Sequence, residues 1–407
     1  MLNKILLYFL ILVSLSFFFI KPIPNSIITA SQLFASGLIV LFIFITWLYG
    51  KGKYLNFNFK TEIIVLLVAV GISMFAANIF HDQDFLTSTM AQRSTYFLLF
   101  YFFLHSIRIH PGDLIKIMLV FSLLFVIIYL IQFFAYPTRI ISSTIMAERG
   151  TIRIFLTGGG YAFFIYFFSL SRFFSTRNSK YILLSLIMLS IFVLMGSRQL
   201  LGSVVFLTFM FVIFSKQIKS KVAIFFIIAL SVIPLLFAFQ EVITSMFEVS
   251  VMQSEEAEDN VRLKAARFFM VDFFPNSFSY ITGNGAPGNN SEYGRQIRYY
   301  MENYGFFQSD IGMIGEYSMY GILFLLAEMT ILIKTLFIKL PDDIKFVRYI
   351  FIGVLMMSFT GGGGFSEAEN VVNICLLLYL IDAYKTIDRN PKPLDNAIKP
   401  VNTHTSI

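Results

Sequence analysis

The stretch IKIMLVFSLLFVIIYLIQFF, Ile115 to Phe134, holds one charge, Lys116, near its edge and no proline, glycine, asparagine or aspartate. A run of roughly 20 apolar residues matches the thickness of bilayer hydrocarbon, and only a segment that satisfies its own backbone hydrogen bonds can cross there. The run lacks the alternation of a barrel strand, whose segments are about ten residues long. It therefore reads as a membrane-spanning helix. Val222 to Phe239, though it holds Pro234, is a second uncharged apolar run of spanning length.

Working outward, the whole chain shares this signature. Hydrophobic residues make up 57% of the 407 positions and charged residues 14%, with a mean hydropathy of +0.76, so too few charges remain to cover a water-soluble domain. The expected fold is an all-α integral membrane protein of about twelve spans. They fall at residues 4–21, 27–49, 61–80, 93–107, 113–135, 153–171, 180–196, 198–215, 221–240, 309–333, 344–360 and 367–384. The first run ends in Lys21-Pro22-Ile23-Pro24 without a small-residue cleavage site, and is expected to be a retained helix rather than a signal peptide.

Lys and Arg accumulate on the cytoplasmic side of membrane helices. With the N-terminus inside, the inner segments hold 20 of the 31 Lys and Arg, from Lys4 to Lys399. Five of the others (Arg262, Lys264, Arg267, Arg295, Arg298) lie in one long loop whose length exempts it. Both ends are thus expected in the cytoplasm, and the net charge of +7 reflects topology and anionic lipid rather than nucleic acid. The expected organisation is 1–240 (nine spans), 241–308 (a large outer loop with short amphipathic helices), 309–389 (three spans) and 390–407 (a cytoplasmic tail).

Cysteine and histidine exclude some chemistry. The single Cys375 permits no intramolecular disulfide, and His81, His105, His110 and His404 lack ligand spacing, so no metal site is expected. There is no phosphate-binding loop with a lysine and no dinucleotide fingerprint, so no cofactor is expected either.

Several outer-face constellations could carry a reaction. Gly196-Ser197-Arg198-Gln199 forms a short turn that sets Arg198 at a helix N-terminus, where unpaired N–H groups and a guanidinium both favour phosphate; its plain alternative is an arginine reaching lipid headgroups. Asp259 or Asn260 could cap a helix running to about Phe274, with Val261, Ala265, Phe268 and Phe269 on one stripe and Arg262, Lys264 and Arg267 elsewhere. Gly283 to Asn290 is dense with turn formers, wrapping a ligand or only connecting. Tyr293, Tyr299, Tyr300 and Tyr304 suit either sugar stacking or an interfacial belt.

Asp310 opens the tenth span, and Glu316 lies about 9 Å deeper at 1.5 Å per residue. An acid at that depth faces a cavity or pairs with a cation such as Arg153 or Arg267. Glu328 is expected near the inner interface. Gly158–Gly160 and Gly361–Gly364 either pack helices or open space for a substrate. Ser366-Glu367-Ala368-Glu369 has capping-box spacing, which accounts for Glu369 and leaves Glu367 over.

The order of these features resembles the bacterial O-antigen polymerase and ligase superfamily (Wzy-like). The residues that carry the likeness are Gly196-Ser197-Arg198, Arg262-Leu263 through Arg267-Phe268-Phe269 to Pro275, Gly283-Asn284-Gly285, Ser309-Asp310, and Glu316 through Gly321. The topology covers the whole chain and the motifs about a third of it. The resemblance implies a GT-C-like, metal-independent glycosyltransferase bundle in the bacterial inner membrane, its active site on the periplasmic face. It also implies a substrate, undecaprenyl-diphosphate-linked oligosaccharide repeat units, joined with release of undecaprenyl diphosphate. A chain-length regulator and a flippase are the partners it suggests. By the same likeness Arg198 and Arg267, with Arg262 and Arg153, would hold the diphosphate. Asp310 or Glu316 would orient or deprotonate the acceptor hydroxyl. Ligases of this superfamily carry a histidine where this chain has Ser309-Asp310, so the expectation is a polymerase. The alternatives are an O-antigen ligase acting on lipid A-core and a transporter or flippase of lipid-linked glycan.

Overall fold

The computed structural model describes residues 2–21, 23–49, 57–148, 151–215, 220–221, 237, 239–240, 242–245, 260–359, 361 and 364–388. Almost all of the ninth expected span, the acidic Glu255–Asp259 stretch and the tail from Asn390 lie outside them.

The described chain is overwhelmingly helical. In order, its helices are α1 (Leu2–Ser14), α2 (Asn25–Leu48), α3 (Lys60–His81), α4 (Phe85–Ala91), α5 (Phe100–Ile107), α6 (Pro111–Ala135), α7 (Gly159–Thr176), α8 (Ser179–Leu194) and α9 (Arg198–Phe214). After the undescribed stretch come α10 (Val261–Arg267), α11 (Ser279–Thr282), α12 (Glu292–Tyr304), α13 (Met313–Phe337), α14 (Phe346–Ser358) and α15 (Ala368–Asp388). Four helices, α2, α3, α6 and α13, are long and apolar enough to cross a membrane; the apolar segments in α1, α5, α8 and α9 are shorter.

The distribution of burial fits that composition. In α15 every residue from Val371 to Tyr384 is buried, as expected of a helix apolar all round that runs through the centre of a bundle. Around it lie α5, α6 and α7. The outer helices turn large apolar side chains outward instead; α2 exposes Phe34, Val40, Leu41, Phe44 and Trp47, a surface suited to lipid and costly in water.

Three local departures from the sequence expectation shape the site. The sixth span does not begin at Arg153. Residues Ile145–Glu148 (β1) and Thr151–Ile154 (β2) pair as an antiparallel hairpin, and α7 starts only at Gly159. Thr151, Ile152 and Ile154 are β-branched and suit a half-buried strand better than the start of a helix.

The tenth span begins later than expected and is broken. A tight turn at Gln308–Ile311 precedes α13, and within α13 Gly321 adopts φ 78°, ψ −178°. A Cβ there would come within 2.1 Å of the Ile281 carbonyl oxygen, so only glycine admits this approach. The groups freed by the break are taken up by the loop: Asn284 N–H donates to Ser318 O at 3.0 Å and Gly285 N–H to Met319 O at 2.8 Å. Irregular backbone at this depth is tolerated when protein satisfies it in this way.

Glu328 is not interfacial. It is fully buried, and its carboxyl meets that of Glu316. Twelve residues of straight helix would separate their Cα atoms by about 18 Å. The break at Gly321 is what lets the two acids approach.

The loop is built rather than merely connecting. Asn260 caps α10, and Ala265, Phe269, Phe273, Tyr293, Ile297 and Ile311 form a small core of their own. The stripe expected along α10 is half right, since Val261 is 45% exposed while Ala265 and Phe269 are buried. Tyr293 is buried, stacks on His81 at 4.0 Å and donates to Gly285 O at 3.0 Å; burial pushes its phenol well above the ordinary value. Gln83 fastens the turn-rich segment, accepting from Gly288 N and donating to Ala286 O.

Candidate functional site

A cleft of about 530 Å³ opens where the start of α7, the α8–α9 turn, the end of α14, the start of α15 and the hairpin meet. The N-terminal turns of three helices face it: Gly159 and Gly160 of α7, Ser197, Gln199 and Leu200 at α9, and Glu367, Glu369 and Asn370 at α15. The positive ends of three helix macrodipoles therefore lie toward one space. Arg153 and Arg262 also line it.

Each wall is positioned by identifiable contacts. In the hairpin, Met146 pairs with Arg153, which leaves Glu148 diagonal to Arg153 on the same face, and the two form an ion pair. The Arg153 guanidinium lies 4.8 Å from the centre of the Phe155 ring, two residues on along the same face. Its Nε donates to Met195 O at 3.4 Å. Thr151 Oγ1 donates to Leu194 O at 3.1 Å, so the hairpin docks on the end of α8.

The Gly196-Ser197-Arg198 turn fits under this hairpin. Gly196 has φ +64°, and a Cβ there would lie 2.8 Å from Arg153 Cγ. Ser197 caps α9 by accepting from Leu200 N. Gln199 donates its side-chain amide to Met357 O at 3.3 Å, joining α9 to the end of α14.

On the far wall, Glu369 Oε2 accepts from Gly158 N at 2.8 Å, so it serves the start of α7 rather than a capping box on its own helix. The cap of α15 lies one residue later than the motif suggested: Asn370 Nδ2 donates to Glu367 Oε2 at 2.9 Å, and Val371 N to Glu367 O. Ser366 is engaged by Glu316.

The six residues singled out in the sequence divide. Arg153 and Arg262 line the cleft. Arg198 sits, half-buried, in the turn that forms one wall, though its neighbours Ser197 and Gln199 are the ones that face the space. Arg267 is exposed at the other end of α10, about 140° around the helix from Arg262 at 3.6 residues per turn, and does not line it. Asp310 lies at the rim, its carbonyl 3.9 Å from the Cβ position of Gly361. Glu316 is buried behind the wall, accepting from Phe365 N at 2.9 Å, and neither it nor Asp310 lines the cleft.

Glu367 and Asn370 are cleft residues that the sequence reading left without a role, and Glu369 is one it had assigned to a helix cap. The signal was there: an acid beyond the needs of the capping motif. No group of three or more metal-ligating side chains occurs among the described residues.

At the opposite end of α15, Asp382 accepts from Tyr101 Oη and Asn58 Nδ2 and lies 3.2 Å from the buried His105 Nε2. Those sequence-distant contacts left no motif to read.

Compared with known proteins, the chain matches no protein-family model and no curated protein.

Proposed function

We propose that the chain is a membrane glycosyltransferase that joins lipid-diphosphate-linked oligosaccharide repeat units, an O-antigen, capsule or exopolysaccharide polymerase of the Wzy-like kind with a GT-C-like bundle of about twelve spans. The observation that carries the reading is the convergence of three helix N-termini with Arg153 and Arg262 on one cleft. Such a site suits the diphosphate of a lipid donor, where charge develops as the anomeric bond breaks. On the topology expected from Lys and Arg, this end of the bundle faces outward.

In this reading Arg153, held by Glu148 and Phe155, and Arg262, on the loop helix, bind the leaving diphosphate. The turn carrying Arg198 supplies N–H groups from α9. Glu367 and Glu369 replace Asp310 and Glu316 as the acids at the cleft, and in this reading Glu367, whose partner is Asn370 while Glu369 holds Gly158 N, accepts the proton of the attacking hydroxyl. The new glycosidic bond forms at the anomeric carbon as undecaprenyl diphosphate departs. The test is reconstitution with lipid-linked repeat units, read as a ladder on a gel. Single repeats alone would reject the reading.

One observation favours a second reading, a carrier of lipid-linked glycan. The break at Gly321 beside the buried Glu316 and Glu328 is the kind of discontinuous helix used by transporters. Movement of labelled substrate across proteoliposomes without bond formation would establish it instead.

A further inference from the structure

Behind the cleft lies a smaller chamber of about 170 Å³. It shares Gly160, Phe163, Met357, Gly361 and Asn370 with the cleft, so the two are continuous. Its wall carries the polar side chains of Ser358, Asn370 and Asn373. Asn373 is 4% exposed, and its Oδ1 has no hydrogen-bond partner. A buried amide oxygen without a donor is costly, so a ligand that brings a hydroxyl is favoured there. Ser358 lines the chamber, and the buried Glu328 lies just beyond Gly364, its Oε1 3.4 Å from that glycine's Cβ position.

The glycines make the space. A Cβ on Gly160 would come within 2.3 Å of Asn373 Nδ2, and one on Gly364 within 3.2 Å of Ser358 Oγ. The volume equals about six waters at roughly 30 Å³ each, which is the size of one sugar ring. Phe163 offers an aromatic wall of the sort on which sugar C–H faces pack. A lipid chain would use the apolar walls but leave Asn373 unanswered.

We propose that this chamber is a subsite for one neutral sugar ring of the acceptor glycan, whose hydroxyl donates to Asn373 Oδ1, seated directly behind the diphosphate cleft. The assignment rests on the polymerase reading for the word acceptor, but its test does not. The probe is a panel of methyl hexopyranosides offered to the protein in nanodiscs, with saturation-transfer NMR as readout.

At least one glycoside should give a saturable signal, weakened roughly five- to tenfold by Asn373→Leu, as for loss of one hydrogen bond, and abolished by Val354→Phe, which fills the chamber. Asn373→Gln, which keeps an amide, guards against misfolding and should restore part of the signal. The Gly71→Ala variant, at a glycine with open space around it that lines neither the cleft nor the chamber, should bind like the parent. Absence of any signal, or equal signals from the parent, Asn373→Leu and Val354→Phe, would overturn the subsite. So would displacement of the glycoside by an isoprenyl alcohol, which would give the chamber to the lipid chain. Glycoside binding that passes these tests in a protein that builds no ladder would reject the polymerase reading and leave the subsite standing.

Discussion

Replacing Gly196 by alanine tests how the hairpin and the turn build the cationic wall. Its φ of +64° is left-handed, which costs an L-residue about 1–2 kcal/mol. The added Cβ would lie 2.8 Å from Arg153 Cγ, 3.0 Å from Arg153 Cδ and 3.1 Å from Thr151 Cγ2. Overpacking of this kind costs about 1–3 kcal/mol. The expected loss is therefore about 2–5 kcal/mol, measured by denaturant unfolding of the protein in detergent. Gly202→Ala in α9, where nothing lies within 4 Å, is the control and should cost nothing, since alanine is the better helix former. In an Arg153→Ala background the overlap with the arginine stem is gone, and the cost of Gly196→Ala should fall toward its backbone part. A Gly196→Ala protein within about 0.5 kcal/mol of the parent, or an undiminished cost when Arg153 is absent, would refute the packing described here.

Other expectations follow from single contacts. Glu369→Ala removes the acceptor for Gly158 N and should cost about 1.5–3 kcal/mol, while Glu369→Gln, which keeps an oxygen there, should cost less; unfolding midpoints compare them. Gly285→Ala, with its φ of +78° and a Cβ 2.5 Å from Ala77 Cβ, should lower the yield of folded protein on size-exclusion chromatography, whereas Gly71→Ala, with open space, should not. The Asp84 carboxylate accepts from Thr87, which holds its carboxyl below the ordinary range. That cap is complete above the ordinary carboxylate pKa and is lost as pH falls through the depressed folded value. The protection of the Thr87 amide, its exchange rate relative to the intrinsic rate at each pH, should fall only in that acid range, and in Asp84→Asn it should show no such step.

How much of this was legible depended on the distance over which each feature is encoded. Helices such as Pro111–Ala135 were plain because a spanning helix is specified by its own contiguous residues. The hairpin at residues 145–154 was hidden because β-branched residues in an apolar chain also suit a span, and its stability comes from docking on Leu194 and Gly196. The importance of Gly196-Ser197-Arg198 was readable from the turn chemistry. That Ser197 and Gln199, rather than Arg198, would face the cleft was not, because the rotation of α9 is set by Gln199 reaching α14. Glu328 was misjudged by counting residues down a straight helix, and only the loop backbone meeting Gly321 reveals the break. Asp310 and Glu316 stood out as acids near a helix start, yet Glu367 and Glu369 are the ones that reach the cleft.

The central claim is that the cleft holding Arg153 and Arg262 binds the diphosphate of a lipid donor. It is tested most directly by titrating undecaprenyl diphosphate into the protein in nanodiscs and measuring heat against empty nanodiscs. Saturable binding, weakened roughly ten- to a hundredfold when Arg153→Gln and Arg262→Gln are combined, is what charge-assisted hydrogen bonds at this cleft predict. Affinity equal to that of empty nanodiscs, or unchanged by the two substitutions, would contradict it.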